Sequence, residues 1–119
     1  MVGGQLTLNL SSGSVAFNFN PQSARDLKTA INHLLSDLKA VASQVATGSR
    51  TDQHSPKPSM EYRYTGEIFL ELFCNPNIWP SPFAAKLLIT LRDDRIRLTT
   101  EVDLNQLVDD LNQFLDQWS

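Results

Sequence analysis

Leu6, Leu8 and Leu10 alternate with Gln5, Thr7 and Asn9 near the start of the chain, the two-residue period of a strand that buries one face. After "SSGS" the alternation resumes, with Val15, Phe17 and Phe19 set against Ala16, Asn18 and Asn20. A two-residue turn at Ser12-Gly13 places Leu10 opposite Val15, Leu8 opposite Phe17 and Leu6 opposite Phe19, so that all six share a face. The segment "KLLITLRDDRIRLTTEV" predicts a second hairpin. With Asp93-Asp94 as its turn, Leu91 is expected opposite Ile96, Ile89 opposite Leu98 and Leu87 opposite Thr100. On the other face Arg92 meets Arg95, Thr90 meets Arg97, Leu88 meets Thr99, and Lys86 meets Glu101 as an opposite-charge pair. Between the hairpins, "YRYTGEIFLELFC" reads as one strand. Ile68, Leu70, Leu72 and Cys74 lie on one side of it, and Glu67, Phe69, Glu71 and Phe73 on the other.

The period changes in "PQSARDLKTAINHLLSDLKAVASQVATG". Ala24, Leu27, Ile31, Leu34, Leu38, Val41 and Val45 recur at spacings of three and four, the signature of an amphipathic helix. Asn20 is placed to cap it, Pro21 suits its first turn, and Gly48 suits its end. Ala30, Leu35, Ala42 and Ala46 widen the stripe beyond the narrow seam of a two-stranded coiled coil, which predicts packing on a sheet. A second helix follows Asp103, with Gln106 at capping-box spacing. Its stripe is Leu104, Leu107, Val108, Leu111, Phe114, Leu115 and Trp118, and Asp109, Asp110 and Asp116 are expected on the solvated side. Residues 49–61, polar and proline-containing without periodicity, read as a flexible loop.

The predicted order is β-β-α-β-β-β-α, an α+β domain of two layers spanning residues 1–119. It comprises a five-stranded, mainly antiparallel sheet with a long central helix and a C-terminal helix, both on one face. That order of elements resembles the broad profilin, roadblock and PAS group of architectures, a group that hosts many unrelated functions.

Composition narrows the function classes. A hydrophobic fraction of 41% and a charged fraction of 19% suit a folded globular domain rather than a disordered one. The net charge of −3 offers no general attraction to phosphate backbones or anionic membranes. The last nineteen residues hold five acids and no lysine or arginine, which makes the final helix a candidate surface for a basic partner as well as an ordinary solvated face. The start "MVGGQLTLNL" lacks the pattern of a signal peptide, and no apolar run reaches membrane-spanning length, so a soluble cytoplasmic protein without a membrane partner is expected.

Candidate chemistry is sparse. Cys74 is the single cysteine, in phase with the inward residues of its strand, and is read as a buried inert thiol. His33 falls away from the apolar stripe of the first helix, and His54 falls in the polar loop. Neither has a neighbour at metal-ligand spacing. Asp93-Asp94 has a turn explanation and Asp109-Asp110 a solvated-face one. Gly3-Gly4 precedes a strand rather than following one, so it is no phosphate loop. The reading is therefore a non-catalytic interaction or accessory protein without cofactor or metal. A small ligand-binding domain or enzyme, with a pocket between sheet and helices, is the competing class.

Two features point to protein contacts. The face of the sheet turned away from the helices carries Phe69, Phe73 and Leu88 among Arg92, Arg95, Arg97, Lys86 and several acids, and aromatics with arginine are enriched at interfaces. The stretch "CNPNIWPSPF", residues 74–83, combines three prolines with Ile78, Trp79 and Phe83. Ile78 and Phe83 are expected to plug the core, and Trp79 to serve as contact surface. The expected contact residues are Phe69, Phe73, Trp79, Leu88, Arg95 and Arg97, for a protein partner or a second copy of the chain. Aromatics beside basic residues also raise single-stranded nucleic acid, but the acids on the same face and the net charge oppose it.

Overall fold

The computed structural model of the chain describes residues 4–46 and 56–118. Strands β1 (Gly4–Leu10) and β2 (Gly13–Phe19) form a hairpin, followed by α1 (Pro21–Ala46). Then come β3 (Met60–Thr65), β4 (Phe69–Cys74), β5 (Lys86–Arg92), β6 (Arg97–Asp103) and α2 (Leu104–Asp116). Two short 3-10 turns, Pro76–Ile78 and Pro82–Ala84, occupy the connection between β4 and β5.

The α+β class matches the expectation, but the sheet does not. Among the described residues six strands form two antiparallel sheets, a pair β1-β2 and a meander β3-β4-β5-β6, in place of one five-stranded sheet. The extra strand comes from "YRYTGEIFLELFC", which folds back on itself. Gly66, Glu67 and Ile68 make a three-residue connection closed by the Gly66 N–H on the Ile68 carbonyl at 3.0 Å. The glycine is the turn signal, and the unbroken alternation around it conceals the reversal. The start of this hairpin also takes Met60 and Glu61 out of the predicted loop.

Both predicted hairpins form, each shifted by two residues. Leu10 pairs with Gly13, Leu8 with Val15, Leu6 with Phe17 and Gly4 with Phe19, around a Ser11-Ser12 turn. A slip of two leaves every side chain on its face, so periodicity cannot distinguish the registers. Packing can. A methyl group on Gly4 would lie 3.2 Å from the Trp118 ring, so the register brings a residue without a side chain to the place where α2 ends. In the second hairpin Arg92 pairs with Arg97, Leu91 with Leu98, Ile89 with Thr100 and Leu87 with Val102. The connection lengthens to four residues because the Asp93 carboxylate accepts the N–H groups of Arg95 and Ile96, both at 2.8 Å, an Asx-type turn. Those bonds hold the Asp93 carboxyl below its ordinary range. Lys86 consequently meets Asp103 at 3.2 Å rather than Glu101.

Helix α1 begins as predicted: Asn20 Oδ1 accepts the Ser23 N–H at 2.7 Å. Ala24, Leu27, Ile31, Leu34, Leu38 and Val41 are buried, while the predicted stop Gly48 and the loop residue His54 lie outside the described residues. The capping box of α2 does not form. Asp103 makes no side-chain cap and turns to Lys86, Gln106 donates to Asp110, and the Leu104 N–H is taken by the Ala85 carbonyl at 3.1 Å.

Leu70, Leu72, Cys74, Leu87, Ile89, Leu91 and Val102, from one face of the four-stranded sheet, share a single buried cluster with the apolar stripes of both helices. Leu6, Leu8, Phe17 and Phe19 of the hairpin join it. Both helices therefore cover the same face, and each fully buried leucine or isoleucine contributes about 1.5–3 kcal/mol relative to an exposed one. Phe19 knits the parts together, packing edge-on to Tyr64 at 4.9 Å and tilted against Phe114 at 6.1 Å. The helices are further tied by Lys28 Nζ donating to Asn112 Oδ1.

One acid predicted on the solvated side of α2 is buried. Asp110 is 4% exposed. It accepts hydrogen bonds from the backbone N–H and side-chain amide of Asn9, both at 2.8 Å, and from Gln106 at 3.0 Å. The helix turns this position toward β1, whose outward N–H groups need an acceptor.

Candidate interaction surface

Strand pairing sorts the uncovered face of the four-stranded sheet into three rows that cross all four strands, with the Lys86–Asp103 pair beyond them at one end. The first, nearest the β4–β5 connection, reads Glu61, Phe73, Leu88, Glu101. The middle row is Arg63, Glu71, Thr90, Thr99, and the third is Thr65, Phe69, Arg92, Arg97. No described element packs over them. Phe73 (38% exposed) and Leu88 (44%) stand side by side across β4 and β5 as an apolar pair with an acid at each end of the row.

Some charges on this face are committed within the molecule. Arg63 Nε meets Glu71 at 2.7 Å and its guanidinium also reaches Glu61 at 3.6 Å, which raises the Arg63 pKa, chiefly through the Glu71 hydrogen bond. The Arg92 guanidinium lies 4.4 Å above the Phe69 ring, a cation–π contact that half-covers the aromatic. The side chains of Arg97, which opens β6, and Glu101, four residues on, have no partner within the described residues.

Four of the six predicted contact residues thus share one face: Phe69, Phe73, Leu88 and Arg97. Arg95 is exposed but sits in the β5–β6 turn rather than opposite Arg92. Trp79 is a correction. It packs against the core, and its buried indole nitrogen finds no oxygen or nitrogen acceptor and faces the Cys74 thiol. Ile78 and Phe83, expected as core plugs, are 65% and 85% exposed. The reversal has a local cause. Asn75 Oδ1 accepts the Asn77 N–H at 3.0 Å, and the Asn77 side chain bonds the Lys57 N–H and carbonyl at 2.8 and 2.7 Å. This clamp fixes the Pro76–Ile78 turn with Pro76 and Trp79 inward and Ile78 outward. Alternation of polar and apolar residues carries no such information in a proline-rich connection.

Cys74 is buried and free. Burial pushes its thiol up from the ordinary value, and the Trp79 indole offsets part of that rise. His33 is exposed on α1. Among the described residues no three metal-ligating side chains cluster. Asp93 and Asp110 are each engaged by N–H donors of the chain itself. No described helix is long and apolar enough to cross a membrane.

An apolar cleft of about 290 Å³ lies where the hairpin meets the far end of the larger sheet, lined by Val15, Phe17, Ile68, Leu91, Ile96 and Leu98 among others. It differs in place from the predicted pocket between sheet and helices. No protein-family model, no curated protein and no solved structure matches the chain. The functional reading therefore stands on these surfaces alone.

Proposed function

We propose that the chain is a non-catalytic interaction or accessory protein that works through protein–protein contacts on the uncovered face of its four-stranded sheet. The observation that carries this reading is the exposed Phe73–Leu88 pair, adjacent across two central strands. An aromatic–aliphatic pair flanked by charge is the composition of an interface centre with a polar rim. Ile78 and Phe83, in the β4–β5 connection, are further exposed apolar side chains. Phe73→Asp tests the reading. Light scattering and pull-down on the wild type should show self-association or a captured partner that the variant loses while it keeps its secondary structure. A wild type that neither associates nor captures a partner defeats the proposal, as does a variant that behaves identically.

A second reading, a small ligand-binding domain, is favoured by the apolar cleft around Phe17, Ile68 and Leu91. Thermal-shift measurements against pools of small apolar metabolites separate the two, because a ligand selective for the native state raises apparent stability. Ile96→Arg, at an exposed residue of the cleft wall, should abolish a shift that arises in the cleft and leave partner capture through Phe73 unchanged.

A further inference from the structure

We infer that the partner of the uncovered face is a second copy of the chain, stacked face to face about a two-fold axis that runs along the middle row, Arg63–Glu71–Thr90–Thr99. The inference rests on the interaction reading and gives it an occupant and a geometry. Glu101 and Arg97 lie on the same strand and the same face, four residues apart, with no partner for either charge among the described residues. Thr99 lies midway between them, about 7 Å from each along the strand.

A two-fold axis along the middle row exchanges the first and third rows of the two copies. Glu101 of each copy then meets Arg97 of the other, twice by symmetry. The same operation sets Phe73 over the other copy's Phe69, and Leu88 over the aliphatic stem of its Arg92, since both pairs are also four residues apart on their strands. Threonines at Thr90 and Thr99 are small enough to let the sheets approach at the centre. The alternative two-fold axis, parallel to the strands, would put Glu61 of one copy over Glu101 of the other and oppose like charges. The first axis also sets Arg63 and Glu71 over their own counterparts, where the Arg63–Glu71 bond within each copy balances the charge, so the reciprocal Glu101–Arg97 pairs decide between these two stackings.

Size sets the strength. Four strands about 4.8 Å apart and six or seven residues long present roughly 350–450 Å² per copy, so the pair buries roughly 800 Å², short of the about 1,200 Å² typical of stable complexes. The dimer is therefore weak, dependent on protein concentration, and loosened by salt that screens the exposed ion pairs.

Sedimentation equilibrium on the whole chain at low ionic strength, carried to several hundred micromolar, tests this. The wild type should dimerise. Glu101→Arg and Arg97→Glu should each weaken the dimer about tenfold or more, by placing like charges together at both symmetric sites. The double variant Glu101→Arg/Arg97→Glu should recover to within about threefold, because the charges then pair in the opposite sense. Both positions are exposed, and unchanged urea midpoints would show that the variants fold. A wild type that stays monomeric overturns the inference, and so does a dimer whose double variant is no better than either single. In those cases the broader interaction reading is judged separately, by whether Phe73→Asp abolishes partner capture.

Discussion

Asn9 and Asp110 lie 101 positions apart in the sequence, yet Asp110 accepts both the backbone N–H and the side-chain amide of Asn9 at 2.8 Å. This one carboxylate joins the first strand to the last helix and supplies an acceptor to a strand edge that would otherwise present a bare donor.

Removing it should be costly. Asp110→Ala leaves the Asn9 N–H and the Gln106 amide without their acceptor, and a loss of about 2–4 kcal/mol is expected from charge-assisted bonds at a buried site. Asn9→Ala keeps the backbone bond and should cost about 1 kcal/mol. Urea unfolding measures both. Hydrogen exchange adds a local readout: the Asn9 amide should be protected in the wild type and in Asn9→Ala, and fast in Asp110→Ala.

Tyr62 links the sheet to α1 by donating to the Ser23 carbonyl at 3.1 Å. Burial first, then the nearby negative charge of Asp26 and the Tyr64 hydroxyl, push its pKa up to about 12 from 10.0. The folded state therefore holds this proton more tightly than the unfolded state. The resulting stabilisation is complete below pH 10 and is lost as pH rises from about 10 to about 12. Comparing the pH dependence of unfolding for wild type and Tyr62→Phe isolates the contribution: the difference between them should shrink across that window. A constant difference would refute the assignment.

Cys74 should resist alkylation in the native protein, since it is buried and its thiol is pushed up. Trp79→Ala opens the side on which the indole rests, and labelling by a small alkylating reagent should rise about tenfold or more. Equal labelling rates in the two proteins would mean that Trp79 does not cover the thiol.

Two phenylalanines of similar appearance in the sequence should behave oppositely. Phe114 is buried against Phe19 and Trp118, and Phe114→Ala should cost about 3–5 kcal/mol. Phe83 is the most exposed of the large apolar side chains, and Phe83→Ser should stay within about 0.5 kcal/mol of wild type. Denaturation midpoints decide both, and a large loss from Phe83→Ser would contradict the exposed position.

Much of the candidate surface was legible because strand alternation assigns faces without reference to register. Phe69, Phe73, Leu88 and Arg97 fall on the uncovered face whichever even register is chosen. Their neighbours were not legible: Lys86 meets Asp103 and not Glu101, because the Asp93 turn takes in two more residues than a tight hairpin would. The exposure of Ile78 and Phe83 has another cause. A clamp from Asn77 to Lys57 orients their connection, and that contact spans twenty residues.

The amino-acid pattern by itself determined the α+β class, both helices, the start of α1 at Asn20, and which side of β1, β2, β4, β5 and β6 faces inward. All of these follow from periods of two and 3.6 residues and from capping chemistry within a few positions. Tertiary structure decided how the strands divide into a pair and a meander, which even register each hairpin adopts, and the inward turn of Trp79. It also decided that an acid on a polar-looking helix face would be buried. Each of those outcomes depends on contacts between segments distant along the chain, as Asp110 depends on Asn9, and a local pattern holds no record of them.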